Sequence, residues 1–259
     1  DLQYLAGDED SDNVVLAIPI SGIILGNESE DGFFGGIDAT FGYTVQAILE
    51  QAAGDKDIKG VILLMNTPGG TIYGARAIAD GVAAYQRETG NPVLAHVETL
   101  SASGGMYAMA GADKIVADSG TLIGSIGVIF GPFQYYDGLT AQDGGLFAGG
   151  VETSNGIKTD FITGGKGKDL GSPYRPMTEE ERAVLQQGVN VNYDQFVKHV
   201  GKARDLTEEK IRNDLGAYIY DEVTAESLGL IDGGSDQGGA YSEIGSMAGY
   251  QSGDFQIRI

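Results

Sequence analysis

The apolar residues of this chain fall into short runs, each closed by a glycine-bearing turn and followed by a stretch of helical period. Val14–Ile20 (VVLAIPI) reads as a buried strand, and the polar, glycine-containing stretch Ser21–Gly36 as a loop. Val45, Ile48, Leu49 and Ala52 then recur at helical spacing from Thr44 until Gly54 stops them. Val61–Met65 is a second short strand. The turn Asn66-Thr67-Pro68-Gly69-Gly70 follows it and opens a helix with Ile72, Ala75, Ala79, Val82 and Ala83 on one stripe. The cycle repeats: Pro92–Val97 is a third strand, Thr99–Gly105 a second glycine-rich turn, and Met106–Ala112 a helix. Lys114–Val116 and Ile126–Phe130 supply further strands. Strand–turn–helix alternation of this kind predicts an α/β fold built from βαβ units.

The later chain is more helical. Thr178 with Glu181 three residues on forms a capping-box pattern, predicting a helix that runs to about Lys202. Thr207-Glu208-Glu209 marks a further helix start. Residues 131–156, rich in glycine and poorly patterned, are expected to form a long loop or a strand pair at the protein's edge. Residues 1–13 (DLQYLAGDEDSDN) are acidic and expected to fray as a flexible segment. The expected domain therefore spans residues 14–234, with 235–259 as a C-terminal extension of it.

Composition narrows the class. A single α/β domain of 259 residues with peripheral helices can bury a sizeable core. Of the 42 glycines, 16 sit in pairs such as Gly69-Gly70, Gly104-Gly105 and Gly164-Gly165, and they form no repeat. That excludes a collagen-like chain and points to tight turns and close backbone approach. With 16 basic against 37 acidic residues, a net charge of -21, the chain lacks the basic patches that phosphate neutralisation needs, which argues against nucleic-acid binding. The acidity reads as a solubility device or as adaptation to a saline habitat. Without cysteine there is no disulfide and no thiolate metal site. No stretch approaches the roughly 20 apolar residues that span a bilayer, although a start at Asp1 leaves room for a signal or anchor upstream.

The two glycine-rich turns suggest chemistry. Each follows an apolar strand and opens a helix, so each presents main-chain N–H groups that a negatively charged oxygen could use. One of them, Ser103-Gly104-Gly105, also carries a hydroxyl. A nucleophile beside main-chain donors is what acyl transfer requires. Ser-Gly-Gly is also common in plain turns, so this signal alone is weak. A serine nucleophile needs a base. His96 falls in a core strand and His199 in a polar-faced helix, both more typical of structural histidines. A lysine can serve if burial lowers its pKa from about 10.4 towards neutrality, which arginine does not permit. Lys158, Lys166 and Lys168 are the candidates, although any one of them could be a plain surface charge.

Several of these strings together resemble the signal peptide peptidase A family. They are Asn66–Gly70; Leu100–Tyr107 with Ala112–Ile115; Thr121–Val128 (TLIGSIGV); Lys168–Pro173 with Pro176–Glu181; and Tyr218–Gly234. They occur in the family's order from Val14 to Gly234. The resemblance implies an α/β Clp/crotonase-like fold of repeated ββα-type units with peripheral helices. It implies a Ser–Lys dyad with Ser103 as nucleophile, Lys168 as general base and Ser125 as the hydroxyl that orients the lysine amine. Lys166 is the alternative base, two residues away. Gly104 and the Gly69-Gly70 turn would supply the oxyanion hole. Peptide substrates, namely signal peptide remnants, are implied, with no metal and no organic cofactor. A homo-oligomeric ring, suspected to be an octamer, would join Ser103 and Lys168 of adjacent subunits. Membrane anchoring with the catalytic domain on the extracytoplasmic side would follow. Thr67 departs from the family's more usual serine, and residues 131–158 look longer than the usual connection. A crotonase relative that handles acyl-CoA and a non-catalytic ring scaffold are the competing readings.

Overall fold

The computed structural model describes residues 2–28, 38–137, 141–142, 151–152, 156–157, 159–251 and 253–259. The first half of the chain runs β1 Tyr4–Gly7, β2 Val14–Leu25, β3 Ala39–Phe41, α1 Gly42–Gly54, β4 Ile58–Gly70, α2 Ile72–Thr89, β5 Val93–Ala102, α3 Gly104–Met109, β6 Lys114–Ala117 and β7 Leu122–Gly124. There follow β8 Ala141–Gln142, β9 Val151–Glu152, α4 Glu179–Arg204, β10 Ile219–Asp221, α5 Glu222–Leu228, β11 Gly233–Gly234, α6 Gln237–Met247 and β12 Gln256–Arg258. The chain forms two compact units, one of Asp1–Gly127 with Tyr193–Ile259 and one of Val128–Asn192.

The first unit is built on a ten-stranded sheet in the order β1-β12-β2-β4-β5-β6-β11, with β3 beside β2, β7 beside β5 and β10 beside β7. Its central pairs β2–β4, β4–β5 and β5–β6 are parallel. Helices cover both faces of such a sheet, so its strands read as continuous apolar runs: Val61 to Met65 are all buried. Ile62 and Leu64 pack with Val15, Leu94, Ala240 and Ile244 beneath α6. Among the described residues no helix is long and apolar enough to cross a membrane.

The structure revises the predicted elements at several points. β2 does not stop at Ile20; it continues to Leu25, because Ile23–Leu25 pair with β3 on one side and Ile23 and Ile24 with β4 on the other. The expected fraying of residues 1–13 does not hold for Tyr4–Gly7, which pair antiparallel with Gln256–Arg258. Ile126–Phe130 is not a strand; the strand of this stretch is Leu122–Gly124, between β5 and β10. On α2 the buried stripe is Ala75, Ile78, Ala79, Val82 and Tyr85, while Ile72 and Ala83 are exposed. The capping box forms as expected: the Thr178 N–H donates to Glu181 Oε2 at 2.9 Å and the Glu181 N–H to Thr178 Oγ1 at 3.2 Å. In the 131–156 stretch, β8 and β9 pair antiparallel.

Candidate active site

β5 and β7 are parallel neighbours, with Ala102 opposite Gly124. The next residue on each strand is a serine, Ser103 and Ser125. Both leave their strands in the left-handed region, at φ 52 and φ 54. Such backbone is uncommon for a non-glycine residue and costs about 1–3 kcal/mol, so it persists only where its surroundings impose it. Here they do. The Ser103 N–H donates to the Gly124 carbonyl at 2.9 Å, and the Ser125 N–H to the Tyr218 carbonyl at 2.7 Å. Both serines are half-buried, whereas Ser101 is fully buried in β5 and its hydroxyl finds no partner among the described residues. Of these three serines, only Ser103 and Ser125 reach the surface at the end of the sheet.

The two glycine turns meet at Ser103. A Cβ on Gly69 would lie 2.6 Å from the Gly104 nitrogen and 2.9 Å from Ser103 Cβ, so only glycine, at φ 101, fits between them. A Cβ on Gly104 would stand 3.1 Å from the Gly70 nitrogen. The N–H of Gly69 is engaged, donating to Thr67 Oγ1 at 3.0 Å, and Gly69 is buried while Gly70 is exposed. Of that turn, Gly70 is the residue whose main chain faces outward beside Gly104.

Neither histidine is placed as a base for Ser103. His96 is wholly buried in β5, its Nε2 3.2 Å from the Ser235 carbonyl and 3.3 Å from Asp118 Oδ2. The His199 ring stacks on Tyr107 with centroids 4.1 Å apart, and its Nε2 donates to the Tyr107 carbonyl at 2.9 Å. Burial holds its pKa below the usual histidine value, so it is kept neutral there.

The lysines belong to the second unit. Lys166 is exposed and paired with Glu180, Nζ to Oε1 at 2.7 Å. Lys168 is also exposed in the single chain. Lys158 lies outside the described residues. The segment bearing Lys168 is fixed by a clamp that the sequence reading missed. Arg175 donates from Nε and Nη2 to both oxygens of Asp169, at 2.7 and 2.8 Å, and from Nη1 and Nη2 to both oxygens of Glu181, at 2.9 and 2.6 Å. Two bidentate pairs on one guanidinium are among the stronger ionic arrangements available. They hold the Glu181 carboxyl down at about 2. The signal was present in the sequence as an arginine six residues from each carboxylate, but its geometry was not.

The fold is of the Clp/crotonase type. A point mutant of ClpP1 from Listeria monocytogenes superposes with a TM-score of 0.52, at 13% identity, over 86% of this chain and 94% of that one. Within that class the family is specific: the sequence model of peptidase family S49 matches residues 85–249, and the chain belongs to that family. The chain is 36% identical over 185 residues to a Methanocaldococcus jannaschii protein named "Putative protease MJ0651", covering 71% of this chain and 55% of the relative. It is 34% identical over 184 residues to "Putative signal peptide peptidase SppA" of Enterococcus faecium, covering 71% and 49%. Protease 4 of Haemophilus influenzae is 30% identical over 220 residues, covering 85% of this chain and 32% of the relative. The chain thus matches about half, or less, of the length of these relatives.

Proposed function

We propose that this chain is a serine endopeptidase in which Ser103 attacks the scissile carbonyl and Lys168 is the general base. The observation that carries the reading is Ser103 itself. It is held at φ 52 against the Gly69-Gly70 turn, with Ser125 beginning where the paired strand ends. Neutral Lys168 Nζ takes the Ser103 proton as Oγ bonds to the carbonyl carbon. The oxyanion accepts from the Gly104 and Gly70 N–H groups. As the C–N bond breaks, the ammonium returns its proton to the departing amine; water then releases the acyl group and restores Ser103. Ser125 Oγ orients the amine.

A solvated lysine is not a base at neutral pH. Lys168 is exposed in the single chain, which supports a site completed by the lysine of an adjacent subunit in a homo-octameric ring. Ile129, 89% exposed, and Phe130, Phe161 and Ile162 are apolar surface of the second unit that a neighbouring subunit would cover. Substrates are signal peptide remnants with small or apolar residues at the cleavage site. The second unit holds an open cavity of about 440 Å³ whose wall mixes apolar and polar side chains, among them Phe133, Met177, Leu185, Gln134, Arg175 and Arg182. The likeness to a relative named signal peptide peptidase supports a place for this domain on the extracytoplasmic side of a membrane.

Labelling with a fluorophosphonate tests the nucleophile. The assembled protein is expected to label and cleave apolar peptides, and Ser103→Ala to do neither. Cleavage by Ser103→Ala would remove the assignment. Failure of the unaltered oligomer to label would favour a scaffold role, and binding of acyl-CoA a crotonase-type one.

A further inference from the structure

We propose that Thr67 is a positioning residue of the oxyanion hole, its hydroxyl fixing which of the two turn glycines offers an N–H to substrate. The inference rests on the serine-peptidase reading and concerns a residue given no part in it so far. Pro68 has no N–H and cannot continue the ladder, so β4 bulges against β2 between the pairs Ser21–Asn66 and Ile23–Gly69. Thr67 sits in that bulge and is completely buried. Its hydroxyl donates to the Gly22 carbonyl at 2.6 Å and accepts the Gly69 N–H at 3.0 Å. A hydroxyl has one proton, so giving it to Gly22 leaves only lone pairs to face Gly69. The directions of both bonds are therefore set.

The consequence reaches Ser103 directly. With its N–H turned inward to Thr67, Gly69 is held with its Cα against Ser103 Cβ and the Gly104 nitrogen. The next residue, Gly70, is thereby presented at the surface beside Gly104. Thr67 also reaches the second turn: a Cβ on Gly105 would lie 2.7 Å from Thr67 Cγ2. One buried side chain thus bonds one glycine turn and packs against the other. The hydroxyl does the orienting, and the methyl fills space.

Serine and valine separate these roles. Thr67→Val keeps the shape but leaves the Gly22 carbonyl and the Gly69 N–H without their partner; Thr67→Ser keeps both bonds. In the assembled protein, Thr67→Val is expected to lower kcat about 10²-fold with KM little changed, the scale of a misplaced oxyanion donor. Inhibition by a peptide aldehyde, whose adduct places an oxygen in the hole, should weaken in parallel, while a non-covalent peptide competitor should bind as before. Thr67→Ser should restore kcat to within a few-fold of the unaltered protein. Should Thr67→Val not fold, Thr67→Ala is measured in its place against the same serine variant. Unchanged kcat in the hydroxyl-free variant overturns the proposal, as does equal loss in Thr67→Ser, which would assign the effect to the methyl. The companion measurement on Ser103→Ala keeps the two readings apart. If that variant is inactive and the hydroxyl-free one is not, only the role of Thr67 fails.

Discussion

Replacing Gly69 by alanine asks whether the meeting of the two glycine turns sets the activity. The added methyl has two costs. Gly69 lies at φ 101, where an L-residue pays about 1–2 kcal/mol. The methyl would also stand 2.6 Å from the Gly104 nitrogen and 2.7 Å from the Ala102 carbonyl oxygen, both backbone atoms that cannot rotate away. Reaching ordinary contact at 3.4 Å needs a separation of about 0.8 Å between the turns, and displacements near 1 Å cost about 10²-fold in catalysis. Gly90 is the control. It caps α2 at φ 70 with nothing within 4 Å of its Cβ position, so Gly90→Ala bears the strain alone. Both variants are expected to lose about 2–4 °C in Tm per kcal/mol of strain. In steady-state peptide cleavage, Gly69→Ala should then fall about 10²-fold in kcat/KM while Gly90→Ala keeps its activity. Equal activity in the two variants would refute the argument that the contact between the turns positions the reacting groups.

Three further outcomes follow from the charges. Because the base must be neutral, acylation should rise with pH through the pKa of the amine; Lys168→Ala should lose that rise and about 10²–10⁴-fold in rate, while Lys166→Ala keeps both. Arg175 holds Asp169 and Glu181 below their usual carboxyl values. Their contribution to stability is full above the ordinary carboxyl pKa of 4.5 and is lost as pH falls towards about 2, and thermal unfolding of Arg175→Met should show that acid slope flattened. The depressed pKa of His199 has the same sense for a base: unfolding takes up a proton that the folded chain resists, so stability should decline as pH drops below 6.5. NMR titration of the ring, together with a His199→Phe variant that keeps the stacking on Tyr107, checks this.

What the sequence could disclose depended on how local the cause was. The Ser103 turn was legible, since an apolar strand, a glycine pair and a helical stripe lie within a few tens of residues of one another. The Thr178–Glu181 capping box was legible for the same reason. β1 was not, because its partner is at the other end of the chain, Tyr4 facing Arg258. The end of β2 looked like a loop, since Ser21 and Gly22 are turn residues by composition; the pairing of Ile23–Leu25 with β3 and β4 overrides that. Ile126–Phe130 is apolar enough for a strand, yet Ile126 is buried without joining the sheet and Ile129 and Phe130 are exposed, so hydrophobicity there does not mark sheet. The hydroxyl of Thr67 and the clamp on Arg175 needed coordinates. Each acts through partners that no spacing rule brings together.

Where the two glycine turns meet, the parts that touch are peptide groups with no ionisable side chain. Gly69, Gly70 and Gly104 have no proton to gain or lose at any pH the folded chain survives. The chain is otherwise heavily charged, at -21, and its surface potential shifts with every change of acidity or salt. On the proposed mechanism, an oxyanion hole made of main chain is blind to the first of these. Any acidity profile of the proposed catalysis would therefore be set by titratable side chains elsewhere in the chain, and drift in surface charge can proceed without touching the donors.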